Sequence, residues 1–241
     1  MKLIFEDYFR DLQNWNFEEG FVRNQELQYY TKRNIACGQG LKIYGKKERV
    51  RNKCCSAKSG LWTRRREYAD YTSSSLNTRG KFEFRYGTLE VKARVPVADG
   101  AWPAIWLMGS EEEWPFCDEI DVMEQYLCEG APTILANFMW SSQGECNWST
   151  KQIALEYFKS KSSNWQNEFH VWKLEWREDY LGIYIDDELI NQISTAGMPG
   201  YAFRKKYYIL LNLAIGKDGV KPKEVDLPLV YEVEYVRVYQ I

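Results

Sequence analysis

The sequence predicts an all-β fold, a sandwich of two antiparallel sheets in which residues 1–241 form a single domain. Short segments of alternating apolar and polar residues recur along the chain, and turn residues separate them. No segment longer than a few turns carries the 3.6-residue apolar period of an amphipathic helix. The chain has only seven prolines, and it has neither a Pro-rich or Ser-rich linker nor an internal repeat. No sequence feature therefore indicates a boundary between two domains. Its length suffices for one large β domain with a substantial core.

The first strands follow from this alternation. The opening MKLIFEDYF leads directly into a strand, and residues 81–97 alternate, break at Gly87 and alternate again. Residues 151–165 predict either a short helix or a long loop. Because successive side chains of a strand point to opposite faces, residues 170–176 place four large side chains on one face. These are His170, for which we expect a structural role, Trp172, Leu174 and Trp176.

The later segments complete the predicted sheets. Residues 180–190 predict a hairpin with Asp186 and Asp187 near its turn. Residues 207–215 are apolar almost throughout, which is typical of a strand covered on both faces. Residues 231–241 alternate to the end of the chain.

Composition narrows the classes of function. The net charge of −2 gives no general attraction to nucleic acid, and we expect no nucleic-acid partner. No stretch approaches eighteen apolar residues, so we expect no membrane span, and we expect a monomer. Ten Trp and seventeen Tyr are many for this length; they fill a β core or line a groove whose ligand has apolar faces.

One basic segment departs from this overall balance. Residues 42–67 contain ten Lys or Arg and two Glu. This pattern indicates either the solvated face of a hairpin or a surface that accepts anions, which matters if the ligand carries sulfate.

Cysteine and histidine usage argues against a zinc site. The six cysteines suit an exported protein, and the fifteen possible pairings stay open. The chain has no Cys-x-x-Cys pair and a single His, so a zinc centre is not expected. No signal peptide precedes the first strand: either a leader is missing from this sequence or the protein stays inside the cell.

The segment EIDVMEQ, residues 119–125, places Glu119, Asp121 and Glu124 within six positions. On a helix these three side chains would point in different directions. On a strand Glu119 and Asp121 share a face, and one bulge residue after Asp121 brings Glu124 to the same face. The spacing therefore predicts a bulged strand with three carboxylates on one side.

Such a cluster costs free energy through repulsion and is typical of chemistry rather than of structure. Retaining glycosidases use two carboxyl groups, one as nucleophile and one as acid/base, and neighbouring carboxylates raise each other's pKa. Two alternatives stay open, an exposed acidic edge and a calcium site. The apolar residues between the acids, Ile120, Val122 and Met123, argue against full exposure.

Beyond the spacing, WPFCDEIDVMEQY (114–126) resembles the catalytic signature of glycoside hydrolase family 16, in particular its laminarinase-like members. NQELQYYT (24–31), residues 72–96 and GAWPAIWLMG (100–109) resemble further blocks of that family. The resemblance covers nearly the whole chain in the right order and extends to the last strands, FHVWKLEW, YILLNLAIG and EYVRVYQ.

The resemblance implies a jelly-roll β-sandwich with a concave groove for a β-linked polysaccharide. Glu119 would be the nucleophile, Glu124 the general acid/base, and Asp121 would assist Glu119. The implied reaction is endo-acting hydrolysis with retention, and no cofactor is expected.

Six further residues are candidates for contact with the substrate. Trp102, Trp106 and Trp114 could stack on sugar rings, although a Trp in a β-sandwich also serves as core. Asn24 and Gln25 stand where the family places a polar contact near the cleaved bond. Asn137, on the next predicted strand, could line the groove or satisfy backbone groups.

The sequence also departs from the family pattern. Many laminarinase-like members carry a His on the strand after the catalytic one, and TILANFMWSS has none. A structural calcium site often uses an early Glu and a late Asp, where this chain has Tyr8 and Glu234, so calcium is doubtful.

The expected function is a retaining endo-β-glycanase acting on β-1,3-glucan or mixed-linkage β-1,3/1,4-glucan, in the extracellular space or periplasm. The first alternative is an enzyme of the same family that cuts galactan, sulfated or not, or a mucin-type O-glycan. The second is a glycan-binding module without catalysis, which would have no need for a repulsive triad. Transglycosylation is not separated from hydrolysis by the sequence.

Overall fold

The computed structural model describes residues 1–240 and confirms the predicted all-β jelly-roll sandwich. Strands are numbered in chain order. Ten of them form one sheet: β1 (Lys2–Asp7), β3 (Gln28–Tyr30), β4 (Ile35–Ala36), β5 (Leu41–Arg51), β6 (Tyr68–Ser73), β8 (Gly87–Arg94), β13 (His170–Trp176), β14 (Tyr180–Ile185), β15 (Glu188–Ser194) and β17 (Leu229–Gln240). Their order is β15-β14-β13-β8-β17-β5-β6-β3, with β1 beside β17 and β4 beside β5.

Seven strands form the second sheet: β2 (Asn16–Phe17), β7 (Ser75–Asn77), β9 (Ala101–Gly109), β10 (Glu119–Cys128), β11 (Ala131–Ser142), β12 (Glu145–Ala154) and β16 (Tyr207–Ile215). Their order is β12-β11-β10-β9-β16-β7-β2. All pairs in this sheet are antiparallel, whereas β3 and β6 of the larger sheet pair in parallel.

Helical segments are short. The two α-helices are α1 (Trp62–Arg65) and α2 (Leu155–Lys159), so a short helix occupies the predicted range 151–165. Four 3-10 turns span Lys32–Asn34, Trp165–Asn167, Lys217–Gly219 and Glu224–Asp226. Within residues 1–240, no helix has the length and apolar character needed to cross a lipid bilayer.

The core lies between the two sheets. Trp172, Leu174 and Trp176 of β13 are completely buried, as their shared face predicts. Burying a large apolar side chain stabilises the fold by about 1.5–3 kcal/mol relative to leaving it exposed. Strand β16 is buried along its whole length, which confirms that both of its faces are covered. Leu211 joins the main core, and Leu210 packs on the opposite face with Trp106.

The hairpin over residues 180–190 is confirmed, with Asp186 and Asp187 at positive φ in its turn. The last strand ends at Gln240, and Ile241 lies outside the described residues. The six cysteines form no disulfide with one another within residues 1–240.

The prediction for residues 81–97 is wrong in its first half. Strand β8 begins at Gly87, and before it only Phe84 forms an isolated bridge, with Tyr207. Core packing accounts for the alternation there, since Phe82 stacks on Phe5 with 4.1 Å between ring centroids. Gly87 has φ +124°, and a Cβ at this position would collide with the backbone of Tyr239. Only glycine therefore suits the start of this strand.

His170 joins the hairpin to the segment that precedes β13. Its Nδ1 lies 2.6 Å from Asp186 Oδ2, its Nε2 lies 2.8 Å from the Trp165 carbonyl oxygen, and its ring stacks on Trp165. An imidazole that bonds two acceptors carries both protons. Burial opposes this charge, but the bonds to Asp186 and to the Trp165 carbonyl outweigh it and raise the pKa of His170.

We expect His170→Gln to lower the thermal unfolding temperature more at pH 6 than at pH 9. Because the pKa of His170 is raised in the folded state, its stabilising contribution is fully present below the unfolded pKa. The contribution disappears as the pH rises through the folded pKa. Calorimetry at both pH values measures the difference, at about 2–4 °C per kcal/mol for a chain of this size. Asp187→Asn, in the same turn, should show no such pH dependence, and equal losses for His170→Gln at both pH values would contradict the assignment.

Candidate active site

The bulge predicted in β10 is confirmed by the pairing of its two neighbours. On β11, Asp121 lies opposite Asn137 and Glu124 lies opposite Leu135, so the register shifts between the two acids. The pairing with β9 shifts in the same place. As a result Glu119, Asp121 and Glu124 all line one cleft of about 590 Å³.

The start of β10 is anchored by Asp118, a fully buried residue with φ 57°. Its carboxylate accepts hydrogen bonds from the backbone N–H of Ser141 at 3.3 Å, from that of Phe203 at 3.1 Å and from the Tyr207 hydroxyl at 3.1 Å. These bonds compensate for burial of the carboxylate and fix the point at which the strand enters the sheet.

The cleft crosses the seven-stranded sheet over β12, β11, β10, β9 and β16. Of the predicted contact residues it contains Asn24, Trp102, Trp106, Trp114 and Asn137. The sequence analysis missed several other lining residues: Arg23, Glu26, Tyr126, Trp148, Asn212 and Lys217.

Glu119 stands on the outer side of the carboxylate cluster. Its Oε2 accepts a hydrogen bond from Trp114 Nε1 at 3.1 Å, and its carboxyl group also hydrogen-bonds that of Asp121. Burial, followed by the charge of Glu124, raises the pKa of Glu119 to about 7. Asp121 is buried more deeply, and burial followed by the neighbouring carboxylates raises its pKa as well. Asp121 is therefore the acid of the three that is best suited to stay protonated and to donate a hydrogen bond to Glu119.

Glu124 accepts hydrogen bonds on both oxygens. Trp102 Nε1 donates to Oε1 at 2.7 Å, and Asn137 Nδ2 donates to Oε2 at 2.9 Å. Burial raises the pKa of Glu124, and these two donors together with the charge of Lys217 oppose the rise. Glu124 is thus half-buried, and the groups around it stabilise its anion.

Asn137 bridges two of the three acids. The same Nδ2 that donates to Glu124 also donates to Asp121 Oδ2 at 3.0 Å, and its Oδ1 is buried without a protein partner. Asn137 therefore lines the cleft, which was one of the two interpretations of its sequence position, and it also contacts the carboxylates directly.

The tryptophans of the cleft fall into two kinds. Trp106 is only 7% exposed, donates from Nε1 to Asn212 at 2.7 Å and lies 5.1 Å from the Arg23 guanidinium. Trp102 is also nearly buried, and Lys217 Nζ lies 4.7 Å from its ring centroid. Trp114 and Trp148 are each about half exposed and offer free surface for a sugar ring.

The structure does not place Gln25 in the cleft. Its side chain is exposed, and its backbone carbonyl accepts a hydrogen bond from Arg66. Asn24 and Gln25 both have positive φ, so this sharp turn sends adjacent side chains in different directions. The next residue, Glu26, lines the cleft instead, and burial raises its pKa to about 7.

The two positions considered for calcium do not fit a cation. The Tyr8 hydroxyl accepts a hydrogen bond from Arg237, and Glu234 pairs with Lys92 at 2.8 Å. Both sites are thus already bonded to cationic side chains, which would repel a metal ion.

The β-sandwich, the cleft and the bulged strand together present a cluster of carboxyl groups of the kind that retaining glycosidases use. The family model for glycosyl hydrolases family 16 matches residues 22–222, and the chain belongs to that family. It is 28% identical to glucan endo-1,3-beta-glucosidase A1 of Niallia circulans, over 100% of this chain but only 38% of that protein's length.

Two solved structures are similar over nearly the whole chain. One is described for endo-acting O-glycanases that members of the human gut microbiota express to initiate mucin breakdown. Its TM-score to this chain is 0.87 at 29% sequence identity, and the match covers 99% of this chain and 90% of the other. The second is the laminarinase catalytic domain of Thermotoga maritima. Its TM-score is 0.81 at 29% sequence identity, and the match covers 100% of this chain and 98% of the other.

We expect Asn137→Leu to raise the pKa of Glu124, because the anion loses one of its two donors. A ¹³C NMR titration of the side-chain carboxyl groups measures this change. Thr150→Val is the matched control, because it also alters the cleft lining. Within residues 1–240 the Thr150 side chain makes no hydrogen bond to an acid, so this substitution should leave the pKa of Glu124 unchanged. An unchanged Glu124 titration in Asn137→Leu would show that the amide does not act on this group.

Proposed function

We propose that the protein is a retaining endo-β-glycanase that hydrolyses β-1,3-glucan or mixed-linkage β-1,3/1,4-glucan. The observation that carries this proposal is the bulge of β10, which turns Glu119, Asp121 and Glu124 into one cleft. A binding module would gain nothing from three buried carboxyl groups in mutual repulsion.

In the first step Glu119 attacks the anomeric carbon while Glu124 donates a proton to the departing glycosidic oxygen. The attacking carboxylate must be ionised, and its bonds from Trp114 and Asp121 favour that state. Glu124 must be protonated, and burial favours that state. Burial raises the pKa of Glu119 as well, to about 7, so the roles of the two acids are assigned from their positions in the family signature and not from these shifts.

In the second step water replaces the departed sugar, and the glycosyl-enzyme ester is hydrolysed. Glu124, now ionised, removes a proton from this water as it attacks the anomeric carbon, which restores Glu119. Trp102 and Asn137 stabilise the anionic form that Glu124 takes in this step. Attack on opposite faces in the two steps gives net retention of configuration.

A galactan or a mucin-type O-glycan is the second candidate substrate. Its specific support is the TM-score of 0.87 to the O-glycanase structure, against 0.81 for the laminarinase domain. The cleft also lacks a His, because the only one in the chain, His170, is outside the lining. The same catalytic acids would serve this substrate.

We further propose that the 241 residues act as one catalytic domain, as a monomer and without a metal ion, in the extracellular space or periplasm where polymeric glycans occur. Size-exclusion chromatography with light scattering tests the monomer. Activity in the presence of a chelator tests the absence of a metal requirement, and cell fractionation tests the location.

We expect Glu119→Ser to abolish hydrolysis, with a loss of about 10⁴-fold or more, while glycan binding is kept. The measurement is product analysis on laminarin, lichenan, barley β-glucan, agarose, porphyran and a mucin O-glycan. Glu111→Ser, which alters an exposed acid away from the cleft, is the matched control and should retain activity.

Each outcome of that panel has a distinct meaning. Oligosaccharides released only from glucans support the first substrate, and release only from galactan or mucin supports the second. Wild-type binding without cleavage of any polymer would overturn the catalytic proposal in favour of a glycan-binding module. Full activity of Glu119→Ser would remove Glu119 from the role of nucleophile.

We expect Asp121→Ala to move the acidic limb of the activity profile to higher pH and to lower turnover. Asp121 donates a hydrogen bond that lowers the pKa of Glu119, so its removal lets that pKa rise and keeps the nucleophile protonated at higher pH. Asp121→Asn keeps a donor and should shift the limb less. Equal shifts in both variants would argue against this hydrogen bond as the cause.

A further inference from the structure

The basic segment 42–67 lies on β5, on α1 and in the loops between β5 and β6, and many of its charges have no acidic partner within residues 1–240. Ion pairs engage Lys42, Lys47, Arg51 and Lys53. Across residues 1–240, the remaining six cations of the segment have no carboxylate within 4.0 Å: Lys46, Arg49, Lys58, Arg64, Arg65 and Arg66. A solvated hairpin face does not require two of these cations to line the same groove, as Arg49 and Arg66 do.

Two of these six cations, Arg49 and Arg66, line a groove of about 740 Å³ together with Lys221. Lys221 likewise has no acidic partner in the described part of the chain. Tyr68 provides an aromatic wall under Arg49, whose guanidinium carbon lies 4.5 Å from the ring centroid. Two carboxylates also line the groove, Asp70 and Glu48, and that of Glu48 is engaged by Arg33 and Thr72. With Lys47 the lining has four cations against these two acids, so positive charge is in excess.

This basic groove adjoins the catalytic cleft through two loops. In the first loop, Glu26 lines the cleft and the next residue, Leu27, lines the groove. In the second, Lys217 lines the cleft and Lys221 lines the groove. Arg66 holds the first loop in place by donating to the carbonyl oxygen of Glu26 at 2.5 Å.

The distribution of charge assigns a place to an anionic group. The cleft itself holds four acidic side chains, Glu26, Glu119, Asp121 and Glu124, against two basic ones, Arg23 and Lys217, so it offers no excess of positive charge to an anion on the sugar at the cleaved bond. The groove presents the guanidinium group of Arg49, and guanidinium groups bind planar or tetrahedral oxyanions through paired hydrogen bonds. The aromatic wall suits the apolar face of a sugar ring.

We propose that this groove is an extension of the substrate site that binds an anionic substituent, a sulfate ester or a carboxylate, on a glycan whose neutral part occupies the cleft. This inference rests on the proposed glycanase function. It predicts that the protein prefers a polymer with scattered anionic groups over its neutral counterpart, and that Arg49 and Lys221 produce this preference.

The test measures binding in a Glu119→Ser background, so that the glycan is not cut. The probes are laminarin, sulfated laminarin and carboxyl-oxidised laminarin, with agarose and porphyran oligosaccharides as a galactan pair. We expect the anionic member to bind roughly tenfold more tightly than the neutral one at low salt. The preference should fade near 1 M salt, where the Debye length is about 3 Å.

The double substitution Arg49→Met and Lys221→Met should remove most of this preference. Lys58→Met is the matched control, because Lys58 belongs to the same basic segment but lies outside the groove. Loss of preference in the double variant with the control unaffected supports the groove. No preference in the parent protein, or equal losses in Lys58→Met and the double variant, would overturn it. A preference for only sulfated or only oxidised laminarin identifies the anion.

Hydrolysis by the protein with Glu119 intact separates this inference from the proposed function. Cleavage of neutral laminarin without any preference for an anion overturns the groove alone. A preference for the anion that depends on Arg49 and Lys221, without cleavage of any polymer, overturns catalysis and leaves the groove as a binding site.

Discussion

The clustering of three carboxyl groups on one face of β10, one buried and two half-buried, is the constraint on which the site depends. Charges taken out of water are costly unless they are neutralised or hydrogen-bonded. The structure meets this cost chiefly with neutral donors: Trp114 for Glu119, Trp102 for Glu124, and Asn137 for Asp121 and Glu124. Fully paired cations would hold all three groups ionised, whereas neutral donors leave the cluster able to carry a proton.

Two of the three donors, Trp102 on β9 and Asn137 on β11, belong to the strands that pair with β10, so the register of the sheet is also the geometry of the site. Asn137 reaches Asp121 because the two lie opposite each other across β10 and β11. A slip of one residue would move the acids to the core face and the intervening apolar residues into the cleft. The buried bonds of Asp118 to Ser141, Phe203 and Tyr207 oppose such a slip. Core packing and chemistry are therefore set by the same pairing.

The parts of the site predicted from the sequence are those that local periodicity governs. The bulge follows from the parity of the spacing between Asp121 and Glu124, and the face of β13 follows from simple alternation. Residues brought in by other segments of the chain give no such signal, which is why Lys217, in a loop, and Trp148, on β12, were missed. Gln25 was misplaced because a turn with positive φ at two successive residues breaks the relation between sequence position and side-chain direction. The alternation of Phe82 and Phe84 predicted a strand, but it reflects aromatic packing in the core.

The contact between Gly216 and Leu27 has a consequence for how such a binding surface changes over evolutionary time. Gly216 has φ +93°, and a Cβ there would overlap the side chain of Leu27, whose own backbone N–H bonds to the Ile215 carbonyl at 2.9 Å. The loop with Glu26 and the loop with Lys217 and Lys221 are therefore shaped to each other. Transplanting either loop alone from a relative would create a steric clash or a void at this seam. A loop exchange on this scaffold therefore has to include both segments together, although they lie near opposite ends of the chain.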